Sequence, residues 1–140
     1  MSTFRILFSS SRTWDRQDVV WDALDILAKA AFESGYDRVV VVHGACPRGG
    51  DMMADSWARD RRRLWPIEAE RHPADWPTHR RRAGFVRNLA MVQAGADVFL
   101  GCIRDASPGA SGCMKLAEGA DIPVQVIDYD DIPDAAEVSS

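Results

Sequence analysis

Four valines in succession, Val39, Val40, Val41 and Val42, constrain what this chain can fold into more than any other feature. Side chains of a strand alternate between its two faces, so an unbroken β-branched run needs apolar cover on both. Strands covered on both faces belong to sheets held between layers of helices, where each crossover helix returns the chain in a parallel direction. The rest of the sequence supplies the partners. Short apolar runs recur at 4–9, 38–43, 66–70, 97–102 and 123–127, separated by helical stretches at 15–34, 50–63, 79–94 and 111–119. Val20, Leu24, Leu27 and Ala31 make the apolar stripe of the first helix. Met53, Ala54, Trp57 and Ala58 serve the second, and Ala83, Val86 and Ala90 the third. Gly35, Gly95 and Gly119 stand where helices should stop.

The pattern predicts an α/β fold, a Rossmann-like three-layer sandwich around a mostly parallel five-stranded sheet. At 140 residues, 46% of them hydrophobic, the chain suits one domain with a core it can bury. That domain is expected over 1–128, with 129–140 as an acidic, flexible tail carrying Asp130, Asp131, Pro133, Asp134 and Glu137. The N-terminal apolar run is too short for a signal-peptide core or a membrane span, which makes the cytoplasm the expected location. Cys46, Cys102 and Cys113 show neither paired nor metal-ligand spacing, so no disulfide framework, no metal and no cofactor is expected.

The formal net charge is −4, but the signs are segregated. Arg59, Arg61, Arg62, Arg63, Arg71, Arg80, Arg81, Arg82 and Arg87 crowd the middle, while acids gather at the end. A basic stretch inside an acidic protein suits a small anionic ligand better than a polymer, although the 61–63 run reads equally well as a solvated helix face.

Ligands of open α/β sheets bind outside the carboxyl ends of the strands, and the polar residues gather there. After the first strand comes Ser9-Ser10-Ser11-Arg12-Thr13-Trp14. Its hydroxyls and amides can bind phosphate, Arg12 can make a bidentate contact and Trp14 can stack on a base; the same residues also read as a serine-rich turn capping the next helix. After the second strand, His43-Gly44-Ala45-Cys46-Pro47-Arg48-Gly49-Gly50-Asp51 opens into a helix. Gly44, Gly49 and Gly50 let backbone approach a ligand, and Arg48 adds charge beside a helix terminus that favours anions. The loop is neither a Walker A nor a GxGxxG fingerprint. Asp51 reads equally as a helix-start charge, and His43 more readily as a structural hydrogen bonder than as a catalyst. Cys46 has no paired base, so thiol catalysis is rejected.

The third loop, Arg71-His72-Pro73-Ala74-Asp75-Trp76, can form a basic wall with Trp76 as a second stacking residue, whereas Trp21, Trp57 and Trp65 suit packing. The helix that follows carries Arg87 and Asn88, the only asparagine of the chain; inside a helix this residue type suggests a polar duty. After the fourth strand, Gly109, Ser111 and Gly112 lie in a second glycine-containing loop. The two glycine loops would face each other across a crevice if the strand order reverses between them.

As an ordered set, Ser-Ser-Arg-Thr-Trp, His-Gly-Ala-Cys-Pro-Arg-Gly-Gly-Asp, Arg-His-Pro-Ala-Asp-Trp, Ala-Gly-Phe-Val-Arg-Asn-Leu-Ala-Met and Ser-Pro-Gly-Ala-Ser-Gly-Cys resemble the YspA-type branch of the SLOG superfamily over residues 4–127. That superfamily is Rossmann-like and associated with nucleotides or nucleotide-derived ligands; its relatives include the LOG phosphoribohydrolases and DprA. The resemblance implies that Ser10, Ser11 and Arg12 stand where the family's Gly-Ser-Arg turn contacts ligand, with a serine here replacing the glycine. Gly44, Arg48, Gly49 and Asp51 match the second loop, where many relatives read Gly-Ala-Asp. Arg87, Asn88 and Met91 resemble the LOG Arg-Lys-x-x-Met helix, with the lysine replaced by Asn88. Against the LOG Pro-Gly-Gly-x-Gly-Thr-x-x-Glu signature, Leu116 takes the slot of the catalytic glutamate, and Glu118 lies about 200° further round the helix.

Hydrolysis of an N-glycosidic bond needs a carboxyl group near the leaving base and donors that hold the phosphate. The chain keeps the holding groups and lacks that glutamate, a role that Asp51 or Asp105 could take over; Asp51 and Arg87 are the candidate catalytic residues, and whether the protein is an enzyme stays open. The first reading is a sensor or sequestering module for a nucleotide-derived phosphorylated small molecule. A phosphoribohydrolase-like N-glycosidic hydrolase is the second. The third, a DprA-like single-stranded DNA-binding protein, requires a continuous basic face, which the net charge of −4 opposes. The expected partners are therefore the small molecule and a second copy in a homodimer, as in relatives, with neither membrane nor nucleic acid.

Overall fold

The computed structural model describes residues 2–105 and 108–133. Five strands, β1 (Thr3–Ser10), β2 (Arg38–His43), β3 (Ile67–Arg71), β4 (Val98–Ile103) and β5 (Val124–Asp128), pair in the order β3-β2-β1-β4-β5, every neighbouring pair parallel. Helices α1 (Gln17–Glu33), α2 (Asp51–Arg61), α3 (Trp76–His79), α4 (Ala83–Gln93) and α5 (Pro108–Gly119) make the crossovers. This is the Rossmann-like sandwich the pattern predicts.

The valine run is covered on both faces, and successive residues go to different layers. Val39 and Val41 pack with Ile6, Phe8, Leu24, Trp57 and Leu100 beneath α1 and α2. Val40 and Val42 pack with Leu7, Phe99, Met91, Val92 and Cys113 beneath α4 and α5. Asp25 ties the first pair of helices together: it accepts from Trp57 Nε1 at 2.8 Å and from Arg61 Nε and Nη2 at 2.9 Å each. The Arg61 guanidinium holds the Asp25 carboxyl below its usual range.

Strands β3 and β5 begin one residue later than the apolar runs suggest, because Pro66 and Pro123 have no N–H to give the ladder. Each still contributes its carbonyl, accepting from Val39 N at 3.0 Å and from Phe99 N at 2.8 Å. The helix expected over 79–94 is divided. Asp75 caps α3 by accepting from Thr78 N, Arg80 then takes a left-handed φ of 52°, and a 3-10 turn at Arg80–Arg82 leads into α4. The buried side of α4 is formed by Ala83, Asn88, Met91 and Val92, and Ala90 is exposed, contrary to its expected inward position. Trp65 is 55% exposed, not a core residue.

After β5, Tyr129–Asp131 form a 3-10 turn, and the Tyr129 ring meets Trp14 edge-on at a centroid distance of 5.4 Å. Residues 134–140 of the expected acidic tail lie outside the described residues. No helix among the described residues is long and apolar enough to cross a membrane.

Candidate functional site

The strand order reverses at β1: the chain winds outward from β1 through β2 to β3, then crosses back to place β4 on the other side of β1. At such a point adjacent loops diverge and leave a crevice at the carboxyl edge of the sheet. Here the crevice is a cleft of about 610 Å³ lined by the turn after β1, the loop after β2, one face of α4 and the first turns of α5.

The turn after β1 is fixed from both sides. Ser11 N donates to Cys102 O at 2.9 Å, and Ser11 Oγ accepts from Arg104 N at 2.7 Å. Arg104 also donates from Nη1 to Thr13 O at 2.9 Å while its guanidinium lies 4.0 Å over the Tyr129 ring. On the other side, Ser10 Oγ accepts from Gly50 N at 2.6 Å and donates to Ser11 O at 3.2 Å. The hydroxyls of Ser10 and Ser11, expected to bind phosphate, are thus engaged in bracing the turn. Among the described residues the backbone amides of Arg12 and Thr13 have no hydrogen-bond partner. Gly49 has φ of 85°, and a Cβ on it would sit 2.3 Å from Ser11 O. Gly49 and Gly50 therefore let the second loop press against the first, and neither lines a cleft.

Arg87 forms the opposing wall. Its Nη1 donates to Gly44 O and its Nε to Asn88 Oδ1, both at 2.7 Å. A Cβ on Gly44 would fall 2.2 Å from Arg87 Nη1, so glycine is needed for the guanidinium to lie there. Asn88, buried within α4, thus fulfils the polar duty its residue type implied. Asp51 is only 7% exposed, and its Oδ2 accepts from Cys46 N at 3.1 Å. Burial pushes its carboxyl above the usual range, against the Cys46 N–H and the positive charge of Arg87, which pull it down. Gly109, Ala110 and Gly112 bring the N-terminal turns of α5 to the same cleft. A helix start carries free N–H groups and a positive dipole end.

A second, smaller cleft of about 360 Å³ adjoins the first and shares Arg12, Gly44, Cys46 and Arg87 with it. Its far side is made by Arg48, Pro73 and Trp76, the last 49% exposed.

Behind the β2–α2 loop lies a buried ionic cluster that sequence reasoning missed. His43 is fully buried; its Nδ1 accepts from Ala45 N at 3.0 Å, so the ring proton sits on Nε2 and points to Asp55 Oδ1 at 2.9 Å. Asp55 also accepts from Arg71 Nε and Nη2 at 2.8 and 2.6 Å and from Arg59 Nη2 at 2.9 Å. Arg71 first, then His43 and Arg59, hold its carboxyl far below the ordinary range despite burial. His43 is therefore a positioning residue: it holds the Ala45 amide at a left-handed φ of 53° and so fixes the loop whose Gly44 carbonyl receives Arg87.

Of the residues singled out in the sequence, Ser10, Ser11, Arg12, Gly44, Asp51, Arg87, Asn88, Gly109 and Gly112 line the larger cleft, and Arg48 and Trp76 line the smaller. Ser111 lines neither. Trp14 does not offer a ring face for stacking: it is 2% exposed in the core, with Nε1 donating to Arg16 O at 3.0 Å. Phe85 and Arg104 join the site without having been expected, beside Met91 of the LOG-like helix motif and Asp105, a candidate replacement for the missing glutamate. For Arg104 the available signal was position, immediately after a strand at the carboxyl edge. Burial pushes the Cys102 thiol up to about 12 and Cys113 up to about 11, which keeps both protonated near neutrality. No group of metal-ligating side chains occurs among the described residues.

The family described as YAcAr, "YspA, cpYpsA-related SLOG family", matches residues 4–79, which carry the turn after β1 and the loop after β2. The chain is also 43% identical over 130 residues to the Gene 61 protein of Mycobacterium phage D29, covering 92% of this chain and 98% of that protein. No solved structure matches the chain. With its cleft at the β1/β4 reversal and its sequence matched over more than half its length, the chain belongs to the YspA, cpYpsA-related SLOG family.

Proposed function

We propose that the protein binds a nucleotide-derived phosphorylated small molecule in the two adjoining clefts. The observation that carries this reading is that Arg12 and Arg87 both line the two clefts, at the β1/β4 reversal. Membership of the SLOG family supports a nucleotide-related ligand. In this reading the phosphate lies between the two guanidiniums, near the unpartnered amides of Arg12 and Thr13 and the start of α5, and a base stacks on Trp76.

A thermal-shift and titration screen against nucleotides, nucleotide sugars and dinucleotides identifies the ligand. With that ligand, Arg12→Ala or Arg87→Ala is expected to weaken binding by about 1.5–3 kcal/mol, roughly 10- to 150-fold, with the fold intact. Parent-like binding by both variants would remove the site assignment. Gly44→Ala is expected to reproduce the Arg87→Ala binding loss while moving Tm little, because the added Cβ overlaps the movable end of Arg87 and not backbone. Calorimetric titration of that variant beside its melting curve checks this.

The buried Asp51 carboxyl in the cleft wall, held above its usual range, supports a second reading as an N-glycosidic hydrolase. Release of free base from nucleoside monophosphates distinguishes that reading from simple binding.

A further inference from the structure

Away from these clefts, a groove of about 960 Å³ runs between α2 and the outer edge of β3. Arg38, Arg59, Arg62, Arg63 and Arg71 line it, against the carboxylates of Asp55 and Glu68. Arg59 and Arg71 share Asp55, and Arg38 pairs with Glu68. Arg63 reaches Asp60 only at 3.9 Å, and Arg62 has no partner among the described residues. A groove with this surplus of guanidinium charge, on a chain whose formal charge is −4, has concentrated cations that elsewhere are outnumbered.

The charge is joined to an aromatic surface. Trp65, at the mouth of the same groove, rests one face on Phe32 at 5.8 Å, and more than half of its surface is open. The edge strand itself carries Glu68, Glu70 and Arg71, charges that disfavour the addition of a further strand. Surplus guanidiniums beside one exposed indole in the same groove suit phosphodiesters and an unstacked base, whereas an acidic peptide would use the charge and leave the indole idle.

We infer that the α2–β3 groove binds single-stranded nucleic acid, with Arg62 and Arg63 on the phosphates and Trp65 against a base. This inference does not depend on the ligand reading of the clefts, and the test keeps the two apart.

The measurement is fluorescence anisotropy of a labelled oligothymidylate of about a dozen nucleotides, titrated with the full chain between about 50 and 200 mM salt. The strand is expected to bind, with affinity falling as salt rises. Arg62→Glu combined with Arg63→Glu is expected to weaken binding at least about tenfold and to flatten the salt dependence. Both side chains are exposed, so the melting curve of this variant should match the parent, as should its response to any ligand of the clefts. Trp65→Ala is expected to lower affinity about fivefold or more with the salt dependence unchanged, and Trp65→Phe to restore most of it. The inference is overturned if the strand does not bind, if the double variant binds it like the parent, or if polyglutamate of equal charge binds as tightly. The last result would assign the groove to an acidic protein segment.

Discussion

Asp55→Ala is expected to lower the unfolding free energy by about 3–5 kcal/mol, read as a drop in the urea midpoint at unchanged slope. The carboxylate is 2% exposed and is the common acceptor for His43, Arg59 and Arg71. Removing it leaves the Nε2–H of a fully buried imidazole without an acceptor, while the two arginines retain access to water. Asp55→Asn keeps an acceptor for His43 and should recover part of the loss. The pH dependence follows from the direction of the shift. The folded carboxyl is depressed below the ordinary 3.8, so its stabilisation is fully present above that value. As the pH falls below it, the unfolded chain takes up a proton that the folded chain resists, and the contribution is lost. The difference in stability between parent and Asp55→Ala should therefore narrow in acid; a constant difference between neutrality and pH of about 3 would argue against this account.

Gly49→Ala is the second large effect expected, at about 2–5 kcal/mol of stability. A non-glycine residue at φ of 85° carries backbone strain of about 1–3 kcal/mol. The new Cβ also lies 2.3 Å from a backbone carbonyl, that of Ser11, with Arg12 Cα 3.0 Å away. Neither atom can swing aside as a side chain would, so the turn after β1 must move and carry Arg12 with it. Loss of ligand binding is expected together with loss of stability, in contrast to Gly44→Ala. Denaturation and ligand titration on the two variants separate these cases.

The strands were legible because apolar β-branched runs have few other uses, and the parallel sheet followed from the helices between them. The glycine loops and Arg87 could be placed at the carboxyl edge of the sheet by the same logic. What stayed hidden depended on partners distant in the chain. Trp14 looked like a stacking residue because it follows a polar turn, but Tyr129 covers it, at a separation no local pattern reports. Asp55 gave only a faint signal, an i,i+4 spacing from Asp51 on one side and Arg59 on the other. With Ala54 and Ala58 on the buried stripe, a carboxylate between them had to be either solvated or neutralised by cations from elsewhere, and Arg71 comes from the next strand. The break before α4 was signalled by Asp75 and Thr78 as a cap, yet nothing in Arg80-Arg81-Arg82 announces a left-handed turn.

Arg87 enters the cleft wall with two of its guanidinium nitrogens already committed, to Gly44 and Asn88. Its torsional freedom is given up when the chain folds, so an incoming anion need not immobilise a swinging side chain. If the proposed ligand binds here, recognition at this wall works as a template set in advance, and discrimination among ligands falls to how well each one's shape meets a guanidinium already held in place.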